Sequence, residues 1–180
     1  MTDLQKRFVP NAEIEPALQS EIEALDRLAF ADDEIENDPE FASIQWSEPD
    51  WMGLGLLNGK LVTQVCLPKR EISVGGEKIW VAGIGGMATH PAFQRKGYGL
   101  ALLKAAETFM RDELRVAFGL LICDGSVRPF YELAHWQVVA DALFYEQNNQ
   151  RRILNTCVMI LPLMDRNWLS GEIDLCGLPW

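Results

Sequence analysis

The chain has no run of apolar residues long enough to cross a bilayer. Its longest, Cys157 to Met164, is eight residues, against the roughly 20 that a spanning helix needs. The first residues, Met1-Thr2-Asp3-Leu4-Gln5-Lys6-Arg7, lack the apolar core and small-residue cleavage site of a signal peptide, so none is expected. Histidine is scarce, with only His90 and His135, and Cys66, Cys123, Cys157 and Cys176 include no C-x-x-C pair. Such thin, widely spaced ligands predict no metal site. The cysteines read as buried free thiols of a cytoplasmic protein. A basic surplus is missing too: 16 Lys and Arg stand against 26 Asp and Glu, a net charge of −10. That argues against unspecific nucleic-acid binding, which needs a basic face. Neither a membrane nor a nucleic-acid partner is expected, and the oligomeric state stays open, a homodimer included.

What is present is room for one domain, taken as residues 1–180, with 48% hydrophobic and 23% charged residues, ordinary proportions for a globular fold. The charge is uneven. Between Leu28 and Gly59 there is no Lys or Arg but there are eight acids, among them Asp33 and Asp38, whereas residues 60–115 hold nine Lys and Arg against five Asp and Glu. A basic middle beside acidic flanks suits an anionic ligand in one place and a cationic one in another. A solvated acidic loop is the plainer alternative.

Leu18, Ile22, Leu25 and Ala29 mark one face of a helix beginning near Pro16. Leu54–Leu57 and Leu61–Leu67 flank Asn58-Gly59, a pair suited to the tight turn of a hairpin. A second hairpin is expected at Gly75-Gly76, joining Glu71–Val74 to a strand from Ile79 to Thr89. From Gly97 the period turns helical, with Leu102, Leu103, Ala106, Phe109 and Met110 on one stripe. Phe118–Cys123 reads as a buried strand. Ser126 is a candidate cap for a short helix from Val127 to Ala134. Strands near Ala142–Glu146 and Ile153–Leu161 flank Asn148-Asn149.

The informative stretch runs from Gly83 through His90-Pro91 to Gly99, a strand passing into a glycine-containing basic loop and then a helix. The free N–H groups of a helix's first turn, together with its dipole, favour an anion. Gly97 and Gly99 let a phosphate approach the backbone, and Arg95 and Lys96 add charge. No Gly-Lys-Ser/Thr run is present for a P-loop. A dinucleotide fingerprint would need its third glycine at Leu102. Gln94-x-x-Gly97-x-Gly99 instead resembles the coenzyme A pyrophosphate loop of the GNAT N-acetyltransferase superfamily. A second segment, Phe130-Tyr131 followed by Ala134-His135-Trp136, is similar to that family's F-Y-x-x-x-G-F element, with His135 where glycine is usual.

Within the superfamily the chain looks most like the aminoglycoside 2′-N-acetyltransferases, through Ala29–Asp33, the strand–loop–helix, the Tyr131 segment and the tail from Gly171 to Trp180. The resemblance implies acetyl-coenzyme A as co-substrate, held by Met87, Ala88, Thr89, Gln94, Arg95, Lys96, Gly97, Tyr98, Gly99 and Leu100. It implies Tyr131 as the acid that protonates the leaving thiolate and the N–H of Met87 as oxyanion donor. Asp33, Asp38 and the carboxylate of Trp180 would hold the amines of a polycationic acceptor. One departure stands out: the family's general-base glutamate falls at Gly85, on the acceptor side, which has no side chain. Asp124 is the best replacement by location, Asp33 next, and His90 the least attractive. The implied fold is α/β, a mixed, mostly antiparallel twisted sheet flanked by helices, with the Met87 strand splayed from the Cys123 strand. An enzyme for another amine, such as a peptide, polyamine or amino acid, and a non-catalytic acyl-coenzyme A binding module are the alternatives.

Overall fold

The computed structural model describes residues 3–31 and 39–180; Asp33 and Asp38 therefore lie outside the described residues. The chain opens with β1 (Gln5–Pro10), a strand that the sequence does not announce. Its Gln-Lys-Arg start is exposed and shows no alternation, because β1 pairs along one edge only, with β2. Pro16 opens α1 (Pro16–Ala29) at a position where its missing N–H costs nothing. After the short α2 (Pro39–Ala42) come β2 (Trp51–Leu57) and β3 (Lys60–Leu67). Between them Asn58 and Gly59 have φ of 50° and 78°, the left-handed pair of a tight hairpin turn. β4 (Lys69–Val74) and β5 (Glu77–Thr89) form the second expected hairpin.

Beyond the loop stand α3 (Tyr98–Asp112), β6 (Phe118–Cys123), α4 (Arg128–Glu132), β7 (Gln137–Val139), β8 (Leu143–Gln147), β9 (Gln150–Leu154), β10 (Cys157–Pro162) and β11 (Ile173–Asp174). The strand expected over Ile153–Leu161 is thus two, broken at residues 155–156. Its halves serve different neighbours, β9 pairing with β8 and β10 with β6.

β5 organises the sheet. β3 and β4 continue past Pro68 as one bent strand along a single edge of it, from Thr63 opposite Thr89 to Val74 opposite Glu77. β1 and β2 extend the sheet beyond β3, while β11, β8 and β9 extend it beyond β4. On its other edge β5 pairs in parallel with β6, followed by β10 and β7. All pairings are antiparallel except β5 with β6 and β11 with β8. The fold is the mixed, mostly antiparallel α/β arrangement expected. The β5–β6 ladder stops at Ile84 opposite Leu121, although β5 runs on to Thr89 and β6 to Cys123. The two strands therefore splay.

α3 buries Leu102, Leu103, Ala106 and Met110 against Val65, Ala82, Ile84, Leu121 and Met159 on one face of the sheet. Leu102, Leu103 and Met110 each contribute roughly 1.5–3 kcal/mol by leaving water. On the other face α1 packs Ile22 and Leu25 against Met52, Leu54 and Ala88. α1 covers one part of that second face, and Phe41 of α2 reaches the other. That part, around Ile72, Val81 and Leu120, is covered chiefly by the C-terminal segment through Trp168, Leu175 and Trp180.

Two local readings need correction. Ser126 does not cap α4: Val127 stands at that position, with no side-chain cap bond. The backbone N–H of Ser126 is instead drawn to Asp124 Oδ1 at 2.7 Å. Nor are the four cysteines fully buried: Cys66, Cys123 and Cys157 are partly buried, and Cys176 is exposed beside Lys78, whose ammonium donates to its sulfur at 3.1 Å.

Where the family pattern has glycine, His135 takes φ of 67°. Its N–H reaches Glu132 O at 3.0 Å and the N–H of Trp136 reaches Tyr131 O at 3.3 Å. That pair of bonds, with Tyr131 and Trp136 rings 6.3 Å apart, is a Schellman ending. The histidine keeps the glycine geometry at the cost of a left-handed Cβ. His135→Gly is expected to raise unfolding stability by about 1 kcal/mol, measured by denaturant titration.

Candidate active site

The splay between β5 and β6 opens into a cavity of about 1690 Å³ that runs to the start of α3 and back under α1. A bulge shapes its floor. Between Cys66 opposite Gly85 and Gln64 opposite Ala88, β5 has one residue more than β3, and Gly86 sits there with φ of 49°. The extra residue reverses the alternation. Ile84 faces α3; without the bulge Met87 would face α1, but it packs on the α3 side instead. Gly85, Met87 and Thr89 line the cavity, while Ala88 is turned away against α1.

At the far end His90 Nδ1 accepts from the Ala92 N–H at 3.2 Å, and a turn of 3-10 helix, Pro91–Phe93, leads into the loop. His90 thus caps that turn. Gln94 Nε2 donates to Thr89 O at 3.1 Å and ties the loop to the end of β5. Arg95 and Gly97 have φ of 57° and 83°, and Gly97 is the residue before α3. A Cβ on Gly97 would meet nothing within 4 Å, whereas one on Gly99 would stand 2.9 Å from Thr89 Oγ1. Gly99 is thus required by packing, and Gly97 by conformation with space left above it. The amides of Tyr98, Gly99 and Leu100 belong to the first turn, where a helix has no internal acceptors for its N–H groups. Arg95 lines the cavity. Lys96 does not: its ammonium donates to Ala92 O at 2.7 Å and lies 5.3 Å from the Phe93 ring.

Tyr131 comes to the same cavity from α4, its ring against Phe130 and Trp136. Burial, with Cys123 nearby, pushes its hydroxyl well above the usual phenol range, so it remains a neutral donor. Burial likewise pushes the thiols of Cys66 and Cys123 up to about 12. Asp26 and Glu48 add to the effect at Cys66, and Cys157 adds to it at Cys123. Both are neutral thiols rather than nucleophiles near pH 7. Asp124 lines the cavity, but hydrogen bonds from Ser126 hold its carboxyl below the ordinary carboxylate range.

The side chain missing at Gly85 has a physical explanation. A Cβ on Gly83 would run into the indole of Trp180, and one on Gly85 would come within 3.2 Å of the main-chain carbon of Trp180. The C-terminal segment fills the space a larger side chain would take. It is held there by Arg70, which donates to Leu178 O and lies 5.3 Å from the Trp180 ring. Ser47 N also donates to Pro179 O at 2.7 Å. Sequence reasoning placed Trp180 near the site but missed Asp26, Phe30, Phe41 and Trp46, which line the same half of the cavity.

An anion-accepting helix start, a splayed strand pair and a buried tyrosine on one cavity define the class of site found in acyl-coenzyme A-dependent N-acyltransferases. Residues 13–139 match the family model described as an acetyltransferase (GNAT) domain. The chain belongs to the GNAT acetyltransferase family. No curated protein matches it. Among solved structures it is similar to a GNAT family N-acetyltransferase (YhbS) of Escherichia coli in complex with CoA, at 16% identity over 99% of this chain and 96% of that one, TM-score 0.66. It is also similar to a GNAT family acetyltransferase of Brucella melitensis in complex with acetyl-CoA, at 16% identity over 94% of each chain, TM-score 0.56. A third is the ribosomal-protein-S18-alanine N-acetyltransferase of Escherichia coli, at 20% identity over 91% of this chain and 97% of that one, TM-score 0.57. Likeness at this level of identity concerns the fold. No helix among the described residues is long and apolar enough to cross a membrane.

Proposed function

We propose that the protein transfers the acetyl group of acetyl-coenzyme A to a primary amine within a ternary complex. The observation that carries this is the continuity of one cavity from the free β5 edge at Gly85–Thr89 to the open space over Gly97 and to Tyr131. The diphosphate would lie on the first-turn amides of α3 beside Arg95. The unpaired β5 edge would meet the pantetheine amides as a strand meets its partner. Two similar structures are complexes with CoA or acetyl-CoA, in keeping with the same co-substrate here.

The amine nitrogen attacks the thioester carbonyl, and the developing oxyanion takes a hydrogen bond from a backbone N–H, for which Met87 is our assignment. The C–N bond forms, the C–S bond breaks, and Tyr131 supplies the proton to the departing thiolate. The proton of the ammonium leaves through a carboxylate or water. Neutral thiols at Cys66 and Cys123 favour direct transfer over an acyl-cysteine route. Asp124 is a weak proton acceptor in its present hydrogen bonds. The polycationic, aminoglycoside-like acceptor implied by the resemblance would depend on Asp33, Asp38 and Trp180, of which only Trp180 is described.

Isothermal titration with coenzyme A and a thiol-release assay with acetyl-coenzyme A over an amine panel test the reading. Arg95→Ala is expected to weaken coenzyme A by about fivefold at low salt, an effect that shrinks as salt rises. Absence of coenzyme A binding by the folded protein would overturn the proposal.

A further inference from the structure

We propose that Cys123 and Cys157 form a redox-active dithiol in the wall of the cleft, joined into a disulfide by exchange with a low-molecular-weight disulfide that enters the cavity, and that this bond slows acetyl transfer. The bond itself stands apart from the acetyltransferase reading; its effect on transfer rests on that reading. The two residues are direct partners in the antiparallel β6–β10 ladder. Directly opposed residues of such a ladder have Cα atoms about 4.5 or 5.5 Å apart, and a disulfide needs roughly 4.4–6.8 Å. Their side chains project from one face, where both pack against the cluster that holds Leu121, Tyr131 and Met159. The two thiols are hydrogen-bonded to each other. The Thr156 hydroxyl donates to Cys123 O at 2.8 Å and keeps the end of the ladder in alignment. Cys66, by contrast, stands opposite Met52 and Gly85.

The pair is asymmetric toward the cavity: Cys123 lines it, as Tyr131 does, and Cys157 does not. Arg128, at the start of α4, interacts electrostatically with both sulfurs and favours a thiolate on either. Burial otherwise keeps the thiols neutral, so only a small thiolate fraction reacts and exchange takes hours rather than seconds. In the first step Cys123 gives up its proton and its thiolate attacks one sulfur of the small disulfide. A mixed disulfide forms, the small disulfide's own S–S bond breaks, and one small thiolate leaves. In the second step the Cys157 thiolate attacks Cys123 Sγ and expels the other small thiolate. The dithiol has lost two electrons and two protons, and the small disulfide has been reduced to two thiols. Closing the bond draws Cys123 Sγ toward Cys157 and away from the wall that Tyr131 shares. A displacement of about 1 Å around a reacting group costs up to roughly 100-fold in rate.

The test uses the full chain carrying Cys176→Ser, so that the exposed thiol does not divert the reagent and three thiols remain. One arm is incubated with glutathione disulfide and the other with coenzyme A disulfide. Within hours mass spectrometry should show the loss of two hydrogens, and proteolytic mapping a cross-link between the peptides of Cys123 and Cys157. Oxidation in either arm supports the inference, and the faster arm identifies the source of the disulfide. The melting temperature should rise by roughly 5–10 °C, because the bond closes the loop from Cys123 to Cys157. The kcat for acetyl transfer to the best amine of the panel should fall about tenfold, and dithiothreitol should reverse both changes. Cys157→Ser should stop at a mixed disulfide on Cys123, whereas Cys123→Ser should take up no adduct. No oxidation in either arm, a bridge to Cys66, or an adduct on Cys157 in the Cys123→Ser protein would overturn the inference. Oxidation with kcat unchanged would overturn its effect on transfer. A reduced protein inactive across the amine panel would overturn the acetyltransferase reading, while the cross-link and the melting shift would still decide the bond.

Discussion

Tyr131→Phe is expected to lower kcat for acetyl transfer about a hundredfold, the low end of what a positioned general acid contributes, while coenzyme A affinity changes less than twofold. The ring stays, with its contacts to Phe130 and Trp136, so the fold and the cleft wall survive. Only the proton offered to sulfur as charge develops is lost, and an interaction made chiefly in the transition state appears in kcat rather than in binding. The pH profile adds a second readout. Burial raises the pKa of Tyr131 above its unfolded value, so the donor form persists through neutral and moderately basic pH and is lost only above the usual phenol range. A fall in kcat near pH 8 that disappears in the variant would be incompatible with this assignment, as would an unchanged kcat.

The parts of this site that are legible in the sequence are the local ones. The Asn58-Gly59 turn, the α3 stripe and the Gln94-x-x-Gly97-x-Gly99 loop each depend on residues within a few positions of one another. Their geometry follows from φ preference and helical period. The splay of β5 from β6 came through the family resemblance rather than from any residue pattern. Contacts between distant segments were not legible. Asp26 meets Gln64 across 38 positions, and nothing in either neighbourhood announces the other. Glycines in a strand, here Gly83, Gly85 and Gly86, mark either a bulge or close approach by a ligand. Gly86 turns the chain at a bulge, whereas Gly83 and Gly85 make room for Trp180. Composition cannot distinguish those causes. The strands β1 and β11 escaped because each relies on a partner brought in from elsewhere, with too few inward residues to set a period.

Gly97 offers the sharpest test of the loop, provided that strain and obstruction are separated. Gly97→Val puts a branched side chain at φ of 83°, a conformation that costs an L-residue roughly 1–2 kcal/mol, so both stability and binding should fall. Gly97→Asn is the informative partner, since asparagine visits the left-handed region readily. Beyond its two chain neighbours, no atom of the described residues lies within 4 Å of the new Cβ, so the asparagine protein should melt close to the parent. If the diphosphate of coenzyme A sits over this backbone, the added side chain occupies its place and displaces it from the α3 amides. Both variants should then lose coenzyme A affinity about a hundredfold by titration calorimetry, while only the valine variant loses stability. In the proposed binding mode the acetyl end lies along β5, away from Gly97, so a small thioester lacking the nucleotide should be turned over, however slowly, at the same rate by parent and asparagine variant. An asparagine variant that binds coenzyme A as tightly as the parent would move the diphosphate away from α3, and with it the orientation that brings the thioester to Tyr131.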